Sequence, residues 1–177
     1  MTDRFRVALS GDFKRADGTL TYPDFDLAPL RVARGVDMAF IDSVSPIRAD
    51  QLKDFDALIL LSHRFAPESV PKGGCLGLVA RFGVGYDTVD VDACTKAGIA
   101  LVITPDGVRR PVAVSIITLM LALTGKLLTK DRLTREAAAG FARRSDHMGV
   151  GLVGRTLASL GIGNIGAELF RLGSRST

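Results

Sequence analysis

Tryptophan is absent from these 177 residues, and cysteine, histidine and tyrosine each occur only twice. Each scarcity closes off a class of chemistry. Cys75 and Cys94 show neither CxxC spacing nor matching histidines, which argues against a metal site. Two isolated thiols, with no leader-like segment, fit a reducing cytoplasm. Spacing gives neither His63 nor His147 a carboxylate partner, so both read as surface or loop histidines rather than general acid–base groups. No Ser/His/Asp or Cys/His arrangement emerges, and the sequence offers no catalytic residue. Aromatics make up 6% of the chain and do not interleave with the arginines, so nucleic-acid binding finds little support. The longest strongly apolar run, residues 112–123, contains Ser115 and Thr118 and looks too short for a membrane span. Asp12, Asp42 and Asp87 do not clearly converge into the acidic cluster that a receiver-type signalling domain needs.

What is present belongs to a folded α/β protein. The apolar fraction of 47% and charged fraction of 24% are ordinary for a globular chain. The net charge of +4 is unevenly placed, with 12 Lys/Arg against 14 Asp/Glu over residues 1–104 and 11 against 5 over residues 105–177. The basic part suits an anionic ligand such as a dinucleotide, although a solvated basic helix face is the simpler reading.

Short apolar, β-branched runs at 5–9, 38–41, 57–61, 76–80 and 99–103 alternate with helical segments at 27–34, 47–55, 67–70 and 89–97. The run at 57–61 is continuous rather than alternating, as in a strand covered on both faces of a parallel sheet. Gly98 supplies a helix stop. This order predicts a flavodoxin-like domain over residues 1–104, with residues 11–23 as a polar surface loop. Beyond 104–106 the pattern changes. Residues 112–128 read as one long helix, apolar all round and therefore expected to be buried on all sides, at a hinge or subunit interface. A polar helix at 130–141 and an Arg- and Gly-rich loop at 142–155 follow.

Two glycine motifs carry the candidate sites. Residues 156–166, T-L-A-S-L-G-I-G-N-I-G, read as a strand entering G-x-G-x-x-G at Gly161, Gly163 and Gly166. In such a turn the amides of Asn164 and Ile165 face a phosphate at a helix N-terminus. The acidic residue that holds the ribose is expected roughly 20 residues further on, and only eleven residues follow Gly166. The second motif, Arg81-Phe82-Gly83-Val84-Gly85-Tyr86-Asp87, leaves the end of the fourth strand. It is either an anion-binding concavity of backbone amides or a plain β–α connection capped by Asp87 or Asp90.

Taken together, L-V-A-R-F-G-V-G-Y-D-T-V-D-V (78–91), A-G-I-A-L-V-I-T-P (97–105) and G-R-T-L-A-S-L-G-I-G-N-I-G (154–166) resemble the D-isomer-specific 2-hydroxyacid dehydrogenases, which include phosphoglycerate dehydrogenases and glyoxylate/hydroxypyruvate reductases. The resemblance implies an α/β chain: a flavodoxin-like substrate domain at 1–104, then at 105–177 interdomain helices and the start of a Rossmann domain for NAD or NADP. It also implies a small 2-hydroxy or 2-oxo acid as substrate, and a homodimer formed through the 112–128 helix, with no nucleic-acid or membrane partner. Val84 and Gly85 match the backbone groups that hold the substrate carboxylate; Gly161, Gly163, Asn164, Ile165 and Gly166 match the cofactor turn. Family members often begin the long helix with Val-Ala-Glu, where this chain has Val112-Ala113-Val114. Their catalytic Arg, Glu and His lie beyond the glycine turn. The expectation is therefore a C-terminally truncated member without useful turnover by itself, or alternatively a non-catalytic remnant that dimerises or binds a carboxylate.

Overall fold

The short apolar runs pair through their backbones as five parallel strands. The computed structural model describes residues 4–174. Within it, β1 (Phe5–Leu9), β2 (Val36–Phe40), β3 (Ala57–Leu60), β4 (Leu78–Arg81) and β5 (Ala100–Ile103) lie in the order 2-1-3-4-5. Every neighbouring pair is parallel, with Val7 opposite Met38 and Ala57, Leu60 opposite Arg81, and Arg81 opposite Ile103. This is the flavodoxin-like doubly wound order. Helices α1 (Ala28–Val32), α2 (Ala49–Leu52) and α3 (Val91–Ala97) are shorter than the sequence pattern suggests, and residues 67–69 form a 3-10 turn. Their flanks instead form the bends that return each chain segment to the sheet.

Two apolar clusters cover the two faces. Ala8, Leu58, Leu60, Val79, Ile47, Leu52, Phe65 and Cys94 form one; Leu9, Phe13, Leu27 and Leu61 form the other. Residues 11–23 are not a simple surface loop. A bridge between Lys14 and Leu20 ties the excursion into a hairpin, and Phe13 is fully buried beneath it. Asp90 caps α3 by accepting the Ala93 N–H at 2.8 Å, and Gly98 ends it with a φ of 69°.

The chain divides into two compact units, residues 1–104 and 105–177. In the second, α4 (Pro105–Thr124) is followed by α5 (Leu127–Arg135), α6 (Ala137–Ala142) and α7 (Asn164–Gly173). This corrects the single helix expected at 112–128. Pro105 opens the helix at a position where a missing N–H costs nothing. The helix then runs through Pro111, forgoing only the bond to the Gly107 carbonyl. It stops where Lys126 turns left-handed at a φ of 51°. The polar helix expected at 130–141 is likewise two helices, broken at Ala137, whose φ is also 51°.

Within the single chain, α4 is covered on one side only. Its inner stripe, Ala113, Ile117, Met120 and Thr124, faces the unit's interior, but only Ala113 is fully covered. Leu119 (64% exposed) and Leu123 (77%) stand in the open with Val114, Ile116 and Leu121. At 20 residues and mean hydropathy 1.4, α4 is long and apolar enough to cross a membrane by length and composition alone. The apolar run counted from residue 112 misses this because Pro111 conceals the first two turns. Residues 156–160 do not form the expected strand. Its amides lack an adjacent parallel strand to pair with, and a parallel strand has no stability of its own.

Leu58 lies in the centre of the sheet and is fully buried. Leu58→Ala is expected to lower unfolding stability by about 2–5 kcal/mol, measured by urea denaturation followed by circular dichroism.

Candidate functional site

Parallel strands bring all their carboxyl ends to one edge, and ligands in open α/β sheets sit outside that edge. In the first unit, the segment leaving β4 is held there from both sides. The Phe82 N–H donates to the Leu60 carbonyl at 2.8 Å. Thr104, just past β5, accepts the Gly83 N–H on its Oγ1 at 2.8 Å and donates its own N–H to the Gly83 carbonyl at 2.9 Å. Gly83 has a φ of 139°, a conformation that side chains rarely adopt, and its missing Cβ leaves room for the Arg81 guanidinium. Arg81 Nη1 donates to the Phe82 carbonyl.

The structure thereby places Val84 and Gly85 on a clamped turn. Among the described residues, no hydrogen bond engages either N–H. Two adjacent free amides on a glycine-flanked turn can receive an anion. The Asp87 carboxylate folds back towards the outer side of Gly85, with Oδ2 3.6 Å from where a Cβ would stand. It is exposed to solvent, which screens its charge. Asp90, rather than Asp87, caps the following helix.

A second cluster at the same edge escaped the sequence reading. Asp12 Oδ2 accepts the N–H groups of Ser62 (2.7 Å) and His63 (3.0 Å), while Oδ1 accepts the Ser10 hydroxyl (2.6 Å). His63 Nδ1 lies 3.7 Å from Asp12 Oδ1, and Nε2 meets the Ser43 hydroxyl at 3.3 Å. His63 is therefore not a free loop histidine. It belongs to a polar knot joining the ends of β1, β2 and β3. Its partner stands 51 residues away in sequence, so no local spacing rule could find it. His147 ends a 3-10 turn and has no carboxylate partner among the described residues.

In the second unit the glycine turn precedes α7. Gly161 adopts a φ of 92°, and Gly163 serves as the N-cap. The first intrahelical bond runs from the Ala167 N–H to the Gly163 carbonyl at 2.9 Å. This leaves the amides of Asn164, Ile165 and Gly166 without intrahelical acceptors, as at any helix start. A Cβ on Gly166 would lie 2.8 Å from the Gly161 carbonyl, whereas one on Gly163 would meet only open space. Gly166 thus lets the helix close onto the turn, and Gly163 leaves its outer side open. These features fit a pyrophosphate on the first turn of a dinucleotide-binding helix.

Glu168, on the next turn of α7, anchors this helix. Its Oε1 accepts Arg110 Nη1 of α4 at 2.6 Å and its Oε2 accepts Arg171 Nη1 at 2.9 Å. The Arg110 hydrogen bond, followed by that of Arg171, holds the Glu168 carboxyl below the usual glutamate range. The same unit contains an apolar hollow of about 710 Å³ lined by Leu133, Phe141 and Met148, with Lys130 and Arg144 at its rim. No residue of either glycine motif lines it. Among the described residues, no group of three or more His, Cys, Asp and Glu side chains converges as metal ligands.

Comparison with known proteins places this geometry among relatives. The family model for the catalytic domain of D-isomer specific 2-hydroxyacid dehydrogenases matches residues 24–139. A glyoxylate reductase of Thermococcus onnurineus (strain NA1) is 31% identical over 127 residues, which are 69% of this chain and 38% of that protein. A D-3-phosphoglycerate dehydrogenase of Archaeoglobus fulgidus is 32% identical over 120 residues, 67% of this chain and 22% of that one. The NAD-dependent formate dehydrogenase of Staphylococcus aureus superposes with a TM-score of 0.75 at 21% identity, covering 96% of this chain and 54% of its own. The chain thus spans well under half the length of the curated relatives it matches and about half of the solved structure.

A carboxylate with a lowered folded pKa contributes stability above its unfolded pKa and loses it as pH falls through the folded one. The stability difference between the native chain and Glu168→Gln is therefore expected to be full near pH 7 and to vanish in acid, below the ordinary glutamate pKa of about 4.3. Thermal melts of both proteins across that range check it; a difference that grows in acid would refute the anchoring role.

Proposed function

The chain belongs to the D-isomer specific 2-hydroxyacid dehydrogenase family, and from that premise we propose that it carries the substrate cradle and the first phosphate turn of an NAD- or NADP-dependent oxidoreductase acting on the CH–OH group of a small 2-hydroxy acid. The observation that carries this reading is the pair of unengaged N–H groups on Val84 and Gly85, on a turn locked by Thr104 at the carboxyl edge of the sheet. Those two amides hold the substrate carboxylate, which fixes C2 of the acid at the sheet edge. Asn164 and Ile165 hold the cofactor pyrophosphate, with Gly161, Gly163 and Gly166 shaping the turn. A bound nicotinamide supplies or accepts the hydride. The first unit then serves as the substrate domain, and residues 105–177 as interdomain helices with the opening βα unit of a dinucleotide domain. A reducing cytoplasm is the proposed compartment.

The 177 residues themselves contribute positioning rather than proton transfer. The His63 backbone N–H is given to Asp12 and its Nε2 meets the Ser43 hydroxyl, His147 has no carboxylate partner among the described residues, and nothing matches the family's catalytic Arg, Glu and His. By themselves these residues are proposed to give no useful turnover. The uncovered apolar side of α4 supports a further role as a dimer contact, because contiguous exposed apolar surface marks association sites. The two Arg110–Glu168–Arg171 ion pairs on its other side favour a protein partner over lipid.

Titration of labelled chain with glyoxylate is expected to shift the Val84 and Gly85 amide resonances, while NADH and NADPH absorbance with glyoxylate or hydroxypyruvate stays flat. Measurable turnover would refute the positioning-only reading; unmoved amides would refute the cradle. Leu119→Lys combined with Leu123→Lys is expected to convert a dimer to a monomer in size-exclusion elution without loss of helical content. A monomer from the unsubstituted chain would remove the dimer proposal.

A further inference from the structure

We infer that the acid held at Val84 and Gly85 bears an apolar, ring-sized substituent, which packs on Tyr22 and Phe82; the inference rests on the reading of those two amides as the carboxylate cradle. Phe82 leads directly into the cradle, yet 37% of it remains exposed. Tyr22, 48% exposed, approaches it with ring centroids 5.9 Å apart. Behind this pair, Phe25 meets Phe82 edge-on at 5.0 Å and Phe13 meets it at 5.5 Å, while Phe13 and Phe25 stack at 4.7 Å. Four rings thus form a continuous wall in which Phe13 is buried, Phe25 is half-buried, and Tyr22 and Phe82 are open.

The wall is fixed rather than floppy. The hairpin that delivers Tyr22 is closed by the Lys14–Leu20 bridge, and the Thr21 N–H donates to the Phe13 carbonyl at 2.8 Å. The Thr21 hydroxyl donates to the Asp12 carbonyl at 2.8 Å, and the Phe25 N–H to the Tyr22 carbonyl at 3.1 Å. Aromatic side chains held in this way offer a large contact area that prefers other rings in offset or edge-on contact. Ligand sites commonly pair such an apolar wall with a few placed polar groups.

Reach and charge agree. Only Gly83 separates Phe82 from Val84, a span of at most about 7 Å along the chain, an interval covered by a carboxylate and a ring joined through two carbons. Three nearby cations are already engaged. Arg81 donates to the Phe82 carbonyl, Arg15 Nη2 to the Thr21 carbonyl at 3.2 Å, and Lys14 Nζ sits 4.2 Å over the Phe40 ring. A phosphorylated substituent would find none of these three free, whereas an aryl group meets a ready surface.

The test is a titration of the full chain with D-lactate and with D-3-phenyllactate, which differ only in the ring, read by amide and aromatic NMR shifts. Both acids are expected to move the Val84 and Gly85 amides, with phenyllactate binding about tenfold tighter and shifting the Tyr22 and Phe82 ring signals. Tyr22→Ser is expected to bring the phenyllactate affinity down towards that of lactate, and Tyr22→Phe to restore it. Equal affinity for the two acids with both amides moving, or a phenyllactate advantage that shifts Phe141 and Met148 instead, would overturn the inference and leave the cradle intact. If neither acid moves the Val84 and Gly85 amides, the cradle reading falls and the inference with it.

Discussion

Five strands running the same way impose one constraint on everything else in the first unit: each connection must cross back over a sheet face before the next strand begins. All carboxyl ends then meet at one edge, and all crossovers cover the two faces. The covered faces hold the apolar clusters around Leu58, Val79 and Phe13. The shared edge gathers Ser10 and Asp12 from β1, Ser43 after β2, His63 from β3, Gly83 to Gly85 from β4 and Thr104 from β5. No two of those segments are close in sequence, and the hydrogen bonds among them exist only because the strands are parallel.

That edge combines rigidity with unspent hydrogen-bonding capacity. Asp12 takes three donors, and Thr104 both gives to and receives from Gly83. These bonds hold the strand ends in place, while the two amides that follow Gly83 have no hydrogen bond among the described residues. The aromatic wall stands on the same hairpin that carries Asp12, so one excursion between β1 and α1 orders both a polar knot and an apolar surface.

The second unit is organised differently. Its helices α4 and α7 are joined by the Arg110–Glu168 ion pair and by the inner stripe of α4, while large residues such as Leu119 and Leu123 remain uncovered. The glycine turn keeps its backbone form without a strand before it, because the left-handed Gly161 and the close approach of Gly166 to the Gly161 carbonyl are local properties. The strand is not local. It requires neighbours to receive its hydrogen bonds, and residues 156–160 have none beside them.

The sequence by itself determined the alternation of strands and helices, the flavodoxin-like class and both glycine motifs. Each depends on residue type at short range: continuous β-branched runs for buried parallel strands, Gly98 for a helix end, and glycine where φ turns positive. The helix bounds were less legible, since Pro111 reads as a breaker but is carried inside α4 once Pro105 has begun the helix. Only the tertiary structure decided that His63 answers to Asp12, that Thr104 clamps Gly83, that four rings join Tyr22 to Phe82, and that α4 is open on one side. The first three relations span 51, 21 and 60 residues of chain. They come from which strands lie side by side, an outcome of burying apolar faces jointly rather than of any local pattern.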